Sequence, residues 1–148
     1  MGRRIVVTTG AFDILHLGHM KMLAAAKRLA GPKGKLVVVV ATDKTVLAKK
    51  HRPPIFKAKQ RAEMLKFLRP VDEAVVGYDP VSFEKVLKRF KPEIVAFGYD
   101  QKEIKKKFVE FCRENKIRVK VVSLPKYDAG GLDSSSSVIR RVKGVVSR

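Results

Sequence analysis

The chain has one cysteine, Cys112, and no tryptophan among its 148 residues. A single thiol excludes an internal disulfide and any CxxC pair for zinc or redox chemistry, and is read as a buried core thiol. No apolar run approaches the roughly 18 residues of a membrane span. The segment Met1-Gly2-Arg3-Arg4 leads into a short strand rather than a cleavable leader, so a soluble, cytoplasmic protein without a membrane partner is expected. Two nucleotide motifs are missing: no GxGxxG follows the first strand and no GxxxxGKS/T occurs, which removes support for hydride transfer and P-loop hydrolysis. Acidic residues are also scarce, 14 against 33 Lys and Arg, for a net charge of +19. Such a field attracts anions, either nucleic acid or a small phosphorylated ligand. A solvated lysine-rich surface accounts for the excess without any ligand. The basic residues are dispersed, and neither an aromatic-rich RNA signature nor Cys/His finger spacing accompanies them, so nucleic acid is not the expected partner.

What is present is an alternation of two periodicities. The length suits one domain over residues 1–148, long enough to bury a core without a staple. Ile5 to Val7 begins a strand, and Met20, Met22, Leu23, Ala26 and Leu29 have the spacing of a helix face. The run from Lys35 to Ala41 is Val-rich and suits a strand buried on both faces. Residues 42–54, with Lys44, Lys49, Lys50, His51, Arg52 and two prolines, read as a mobile basic loop. A helix is predicted over 57–68, a strand over 73–76, and a helix opened by Asp79-Pro80 and closed before Pro92. A strand over 93–97, a helix using Ile104, Phe108, Phe111 and Cys112, a strand over 117–124 and a short helix over 135–142 complete the chain. The predicted fold is α/β: a Rossmann-like, doubly wound, five-stranded parallel sheet with helices on both faces and its ligand beyond the strand C-termini.

The densest chemistry lies where strand one passes to its helix, in Thr8-Thr9-Gly10-Ala11-Phe12-Asp13 followed by His16-Leu17-Gly18-His19. A helix N-terminus offers unpaired N–H groups and about half a positive charge, which is a ready phosphate site. The histidines add donors. Gly18 is useful where a ligand approaches the backbone closely. Two other readings stand beside this one. His16, His19 and Asp13 have a spacing compatible with metal ligation, although no fourth ligand or HExxH base accompanies them. Alternatively, the pair is structural.

Gly10-Ala11-Phe12-Asp13 with His16-x-Gly18-His19 resembles the signature of the HxGH nucleotidyltransferases, a cytidylyltransferase-like superfamily. The likeness extends over the basic segment 49–54, Gln60-Arg61, Val71-Asp72-Glu73, Phe97-Gly98-Tyr99-Asp100-Gln101 and the serine helix 135–140. Within the superfamily, Arg52-Pro53-Pro54-Ile55, Gln60-Arg61-x-Glu63-Met64 and Gly98-x-Asp100-Gln101 most resemble archaeal FAD synthases, which transfer AMP from ATP to FMN. Glycerol-3-phosphate cytidylyltransferases, which use CTP, share much of this pattern. Ala11 stands where threonine is frequent, Lys126 where the cytidylyltransferases have arginine, and 127–132 lacks the cysteine found in archaeal FAD synthases.

The resemblance implies nucleotidyl transfer without a covalent enzyme intermediate. His16 and His19 act as electrostatic catalysts on the α- and β-phosphates. Thr9, Gly10, Ala11, Phe12, Asp13, Gly18, Gly98, Tyr99, Asp100 and Tyr127 bind the nucleotide. Ser135, Ser136 and Ser137 either receive its β- and γ-phosphates or simply cap the helix. Lys49, Lys50, Arg61 and Lys126 neutralise the triphosphate or hold the acceptor phosphate. Mg²⁺ or another divalent cation is implied on the triphosphate, with no metal-ligating set in the chain, and a homodimer fits the family. The competing class is a basic nucleic-acid-binding protein that kept this fold without the activity.

Overall fold

The computed structural model describes residues 3–147. Met1 and Gly2, included in the lead-in to the first strand, and Arg148, at the end of the expected domain, lie outside them. Among the described residues are β1 (Ile5–Gly10), α1 (Leu17–Ala30), β2 (Lys35–Val40), α2 (Asp43–Lys50), α3 (Ala58–Leu65) and β3 (Glu73–Val76). These are followed by α4 (Phe83–Phe90), β4 (Ile94–Phe97), α5 (Lys102–Glu114), β5 (Lys120–Ser123) and α6 (Ser135–Val146). The five strands are parallel in the order β3-β2-β1-β4-β5. This is the expected Rossmann-like α/β sheet. The chain moves outward from β1 through β2 to β3, then returns to the other side of β1 to lay down β4. The switch point therefore falls between the C-termini of β1 and β4, where such sheets receive ligands.

The strand sequences explain the double burial. Val37, Val38, Val39 and Val40 point alternately to the two faces and all are buried, as a central parallel strand requires. One face packs Val38 and Val40 with Leu23, Ala26, Ala62 and Leu65 of α1 and α3. The other packs Val37 and Val39 with Phe90, Phe108 and Cys112 of α4 and α5. Cys112 is thus a core thiol, and burial pushes its pKa up, away from thiolate chemistry. No helix among the described residues is long and apolar enough to cross a membrane.

Several boundaries differ from the sequence reading, each for a local reason. The expected loop over 42–54 is largely helix α2. Thr42 caps it by accepting from the Thr45 amide at 3.2 Å, Asp43 lies in its first turn and Lys49 and Lys50 in its last, and only Val46 is buried. Charge placement and capping hold this helix, so hydrophobic periodicity does not reveal it. Helix α4 begins at Phe83, capped by the Ser82 hydroxyl rather than by Asp79-Pro80. Strand β5 is shorter than 117–124 and α3 shorter than 57–68, whereas α6 continues past Val142 to Val146.

Because α2 rests on its cap, Thr42→Ala should lower global stability by about 1 kcal/mol. Urea denaturation checks this. Hydrogen exchange should show faster amides across 43–50, and β2 accelerated only by the global loss, about fivefold.

Candidate active site

Strand β1 ends at Gly10, and the chain then turns sharply through Phe12, whose φ of 50° is left-handed. The Phe12 ring folds back over Gly10: a Cβ there would come within 2.7 Å of a ring carbon, so only glycine fits without displacing the ring. Asp13 is buried and accepts from the Ile55 and Phe56 amides at 2.7 and 2.9 Å, tying the turn to the segment before α3. Beyond it, His16 is the N-cap residue of α1 and His19 lies in its first turn. Their rings stack with centroids 3.7 Å apart, and the His19 ring lies 5.2 Å from that of Phe12.

This pair is neutral in the protein as it stands. Burial, then the charge of His16, then that of Lys50 lower the His19 pKa to about 3. His16 is also lowered, chiefly by burial and against the pull of Asp133. Two stacked imidazolium ions would repel each other in a half-dry site. The His16 amide donates to Nδ1 of His19 at 3.3 Å. With Nδ1 accepting, the proton of neutral His19 resides on Nε2, leaving a donor for a ligand. Nδ1 of His16 is buried without a hydrogen-bond partner among the described residues. A Cβ on residue 18 would sit 3.0 Å from that ring, so Gly18 makes room for His16 itself.

Around the histidines opens a cleft of about 1040 Å³ along the C-terminal edge of the sheet. This matches the upper end of small-molecule sites, about 300–1,000 Å³, and suits more than one ligand. Across its floor, Gln101 spans the switch point. Its Nε2 donates to the Thr9 carbonyl at 2.9 Å and its Oε1 accepts from the Gly98 amide at 2.7 Å. It replaces ladder bonds where β1 and β4 diverge.

Against this geometry, a family model described as cytidylyltransferase-like matches residues 7–142. The chain belongs to the cytidylyltransferase-like family. A FAD synthase of Korarchaeum cryptofilum is 47% identical over 96% of this chain and 92% of that protein. A FAD synthase of Methanothermus fervidus is 42% identical over 93% of each. Among solved structures, one described as a lipopolysaccharide core biosynthesis protein from Thermoplasma volcanium superposes with a TM-score of 0.76. Its identity is 38%, over 86% of this chain and 100% of that one.

The family signature residues fall into two groups. Thr9, Gly10, Ala11, Phe12, His16, Gly18 and His19 line the cleft from β1 and α1, and Lys49 and Lys50 line it from α2. Gly98, Tyr99 and Asp100 close it after β4, with Lys126, Tyr127 and Ser135 after β5. Lys126 is held 3.3 Å from Asp133 and above the Tyr99 ring.

Four expectations are corrected. Arg61, expected at a phosphate, is 1% exposed, and its guanidinium is committed to protein. It donates to the carbonyls of Phe56 and Ala11 and to Asp43, at 2.8, 2.7 and 2.8 Å. Asp13, expected at the nucleotide, faces the 55–56 amides instead. Ser137 is consumed by a reciprocal cap with Ser134, the true N-cap residue, and Ser136 does not line the cleft. The cleft also takes in residues given no role by sequence: Lys44 and Thr45 on α2, Val81 and Phe83 after β3, Ile104 and Lys107 on α5. The βα order alone would have flagged 77–83, because that segment follows a strand C-terminus.

Arg61→Ala should act on stability before binding. It leaves two carbonyls without their donor and Asp43 without its cation, and should cost roughly 3 kcal/mol; a thermal melt measures this. For His19, imidazole NMR should report the neutral Nε2–H form from pH 8 down to about 4, with protonation only as pH approaches the lowered value. The unfolded chain takes up that proton near 6.5, so this histidine's contribution is intact above 6.5 and is lost as pH falls toward 3.

Proposed function

We propose that this protein is an FMN adenylyltransferase, moving AMP from ATP onto the phosphate of FMN to give FAD and pyrophosphate. The observation that carries the reading is the stacked pair His16 and His19 at the switch point of a cleft with room for two substrates. Relatives named FAD synthase, matched over nearly their whole length, support the choice of acceptor.

In this reading a phosphate oxygen of FMN attacks the α-phosphorus of ATP. The new P–O bond forms as the bridge to the β-phosphate breaks, and the bonding pair leaves with pyrophosphate. The attacking phosphate is already deprotonated, so no general base is needed. The chain's task is alignment and charge stabilisation. Nε2–H of His19 donates to an α-phosphate oxygen, and His16 meets the β-phosphate as charge grows there. A polyanion on the pair offsets the repulsion that keeps it neutral and draws it toward the protonated form. Lys49 and Lys50 neutralise the triphosphate and the incoming phosphate. Gly98, Tyr99, Asp100, Lys126 and Tyr127 receive the nucleoside, and the Ser135 backbone amide in the first turn of α6 adds a donor, its hydroxyl being given to the Ile14 carbonyl. Among the described residues, no group of three or more His, Cys, Asp or Glu is placed to hold a metal. A divalent cation such as Mg²⁺ would accompany the triphosphate, held by phosphate oxygens and water, and supply further charge neutralisation.

Pyrophosphate release, measured with ATP or CTP against FMN or glycerol-3-phosphate, tests the reading. Release is expected only with ATP plus FMN; release with CTP and glycerol-3-phosphate would overturn it. His19→Ala should lower turnover by about 10²–10³-fold or more while the melting temperature is retained.

A further inference from the structure

The cleft is not uniform along its length. Its edge after β5 is polar and aromatic, built from Lys126, Tyr127 and Ser134 with Tyr99 from the turn after β4. At the end after β3, Pro80, Val81 and Phe83, with Ile104 of α5, make an apolar patch whose rim carries Lys44, Asp79, Glu103 and Lys107. Val81 is 52% exposed, a bare aliphatic side chain at the cleft wall. Phe83 is braced from behind by edge contact with Phe108, centroids 5.3 Å apart, and by Phe111 at 5.7 Å. Val81, Phe83 and Ile104 also border a smaller side cavity of about 90 Å³, whose remaining walls include Val39, Val86 and Phe97. Apolar surface continuous with a polar reaction centre and left open to water marks a place for an apolar part of a ligand.

Resting on the adenylyl-transfer reading above, we propose that this apolar end seats the planar isoalloxazine ring of the acceptor, between Val81 and Phe83 on one side and Ile104 on the other. The seat makes the protein selective for a flat heteroaromatic phosphate over a small polyol phosphate. Helix α2 supplies the ruler. Thr45 borders both the cleft and the apolar side cavity, and Lys50, five residues on, lies near enough to lower the pKa of both histidines. At 1.5 Å per residue the helix advances about 7.5 Å between them. The five-carbon ribityl chain of FMN, with bonds of about 1.5 Å, covers a comparable span. A ring against Val81 and Thr45 thus places its phosphate at Lys49, Lys50 and the histidines. A glycerol phosphate leaves the apolar wall wet and gains nothing from it.

Steady-state kinetics with riboflavin and two variants test the seat. Riboflavin carries the ring without the phosphate and should compete with FMN but not with ATP. Val81→Gln, at an exposed loop position where a melt verifies folding, should raise KM for FMN about tenfold, with KM for ATP within about twofold. Val81→Leu should restore the FMN value. An unchanged FMN KM in Val81→Gln, or riboflavin competing with ATP, would overturn the seat. So would a raised FMN KM in Tyr127→Ala with none in Val81→Gln, because the ring would then lie at the opposite edge. If the unaltered protein makes no FAD from ATP and FMN, the adenylyl-transfer reading falls, and the seat falls with it.

Discussion

Arg61 reaches three segments that share no ladder or helix. Its Nη1 holds the carbonyl of Ala11 in the turn after β1, its Nε that of Phe56 before α3, and its Nη2 the carboxylate of Asp43 at the start of α2. Asp13 repeats the link from the other direction through the Ile55 and Phe56 amides, and Asp43 also takes the Ala58 amide at 2.9 Å. A planar, permanently charged fork suits such a junction better than an ammonium would. Everything the site needs on its phosphate side hangs from this junction: the turn that delivers the histidines and the helix that carries Lys49 and Lys50. The arrangement fixes the turn after β1 and helix α2 to each other at the mouth of the cleft.

The electrostatics follow from that enforced proximity. Lys50 has its own pKa lowered, first by burial and then by Arg52; burial lowers both imidazoles most, and Lys50 adds to it. Under the proposed function, a polyphosphate beside the pair offsets this repulsion. Gln101 has the complementary task. By bonding to Thr9 and Gly98 it keeps β1 and β4 at a fixed separation where the sheet opens, and the floor of the cleft keeps its width.

How far this was readable from sequence depends on the range of the forces involved. The strand-turn-helix passage through Gly10 and His19 is local: glycine, cap and periodicity lie within a few residues, and the fold class follows from repeating that pattern. Helix α2 was hidden because one buried side chain, Val46, gives no periodicity, while the cap and end charges that hold it resemble those of a loop. Arg61 looked like a phosphate ligand because burial is a property of the assembled chain; nothing adjacent to it announces that Ala11, Phe56 and Asp43 converge there. Ser137 was similarly ambiguous, since a hydroxyl at a helix start serves a cap and an anion equally well. The apolar edge at Val81 and Phe83 was absorbed into a predicted helix, and only the position of Ser82 as the cap leaves these residues at the cleft.

The edge-to-edge cleft, with unlike ends and the histidines between, carries one last implication. In the proposed reaction each reactant is grasped at its own end, but a dinucleotide formed between them is tethered at both, and detachment of one half leaves it anchored by the other at high effective concentration. On that reading departure requires both halves to release together, and the product leaves slowly.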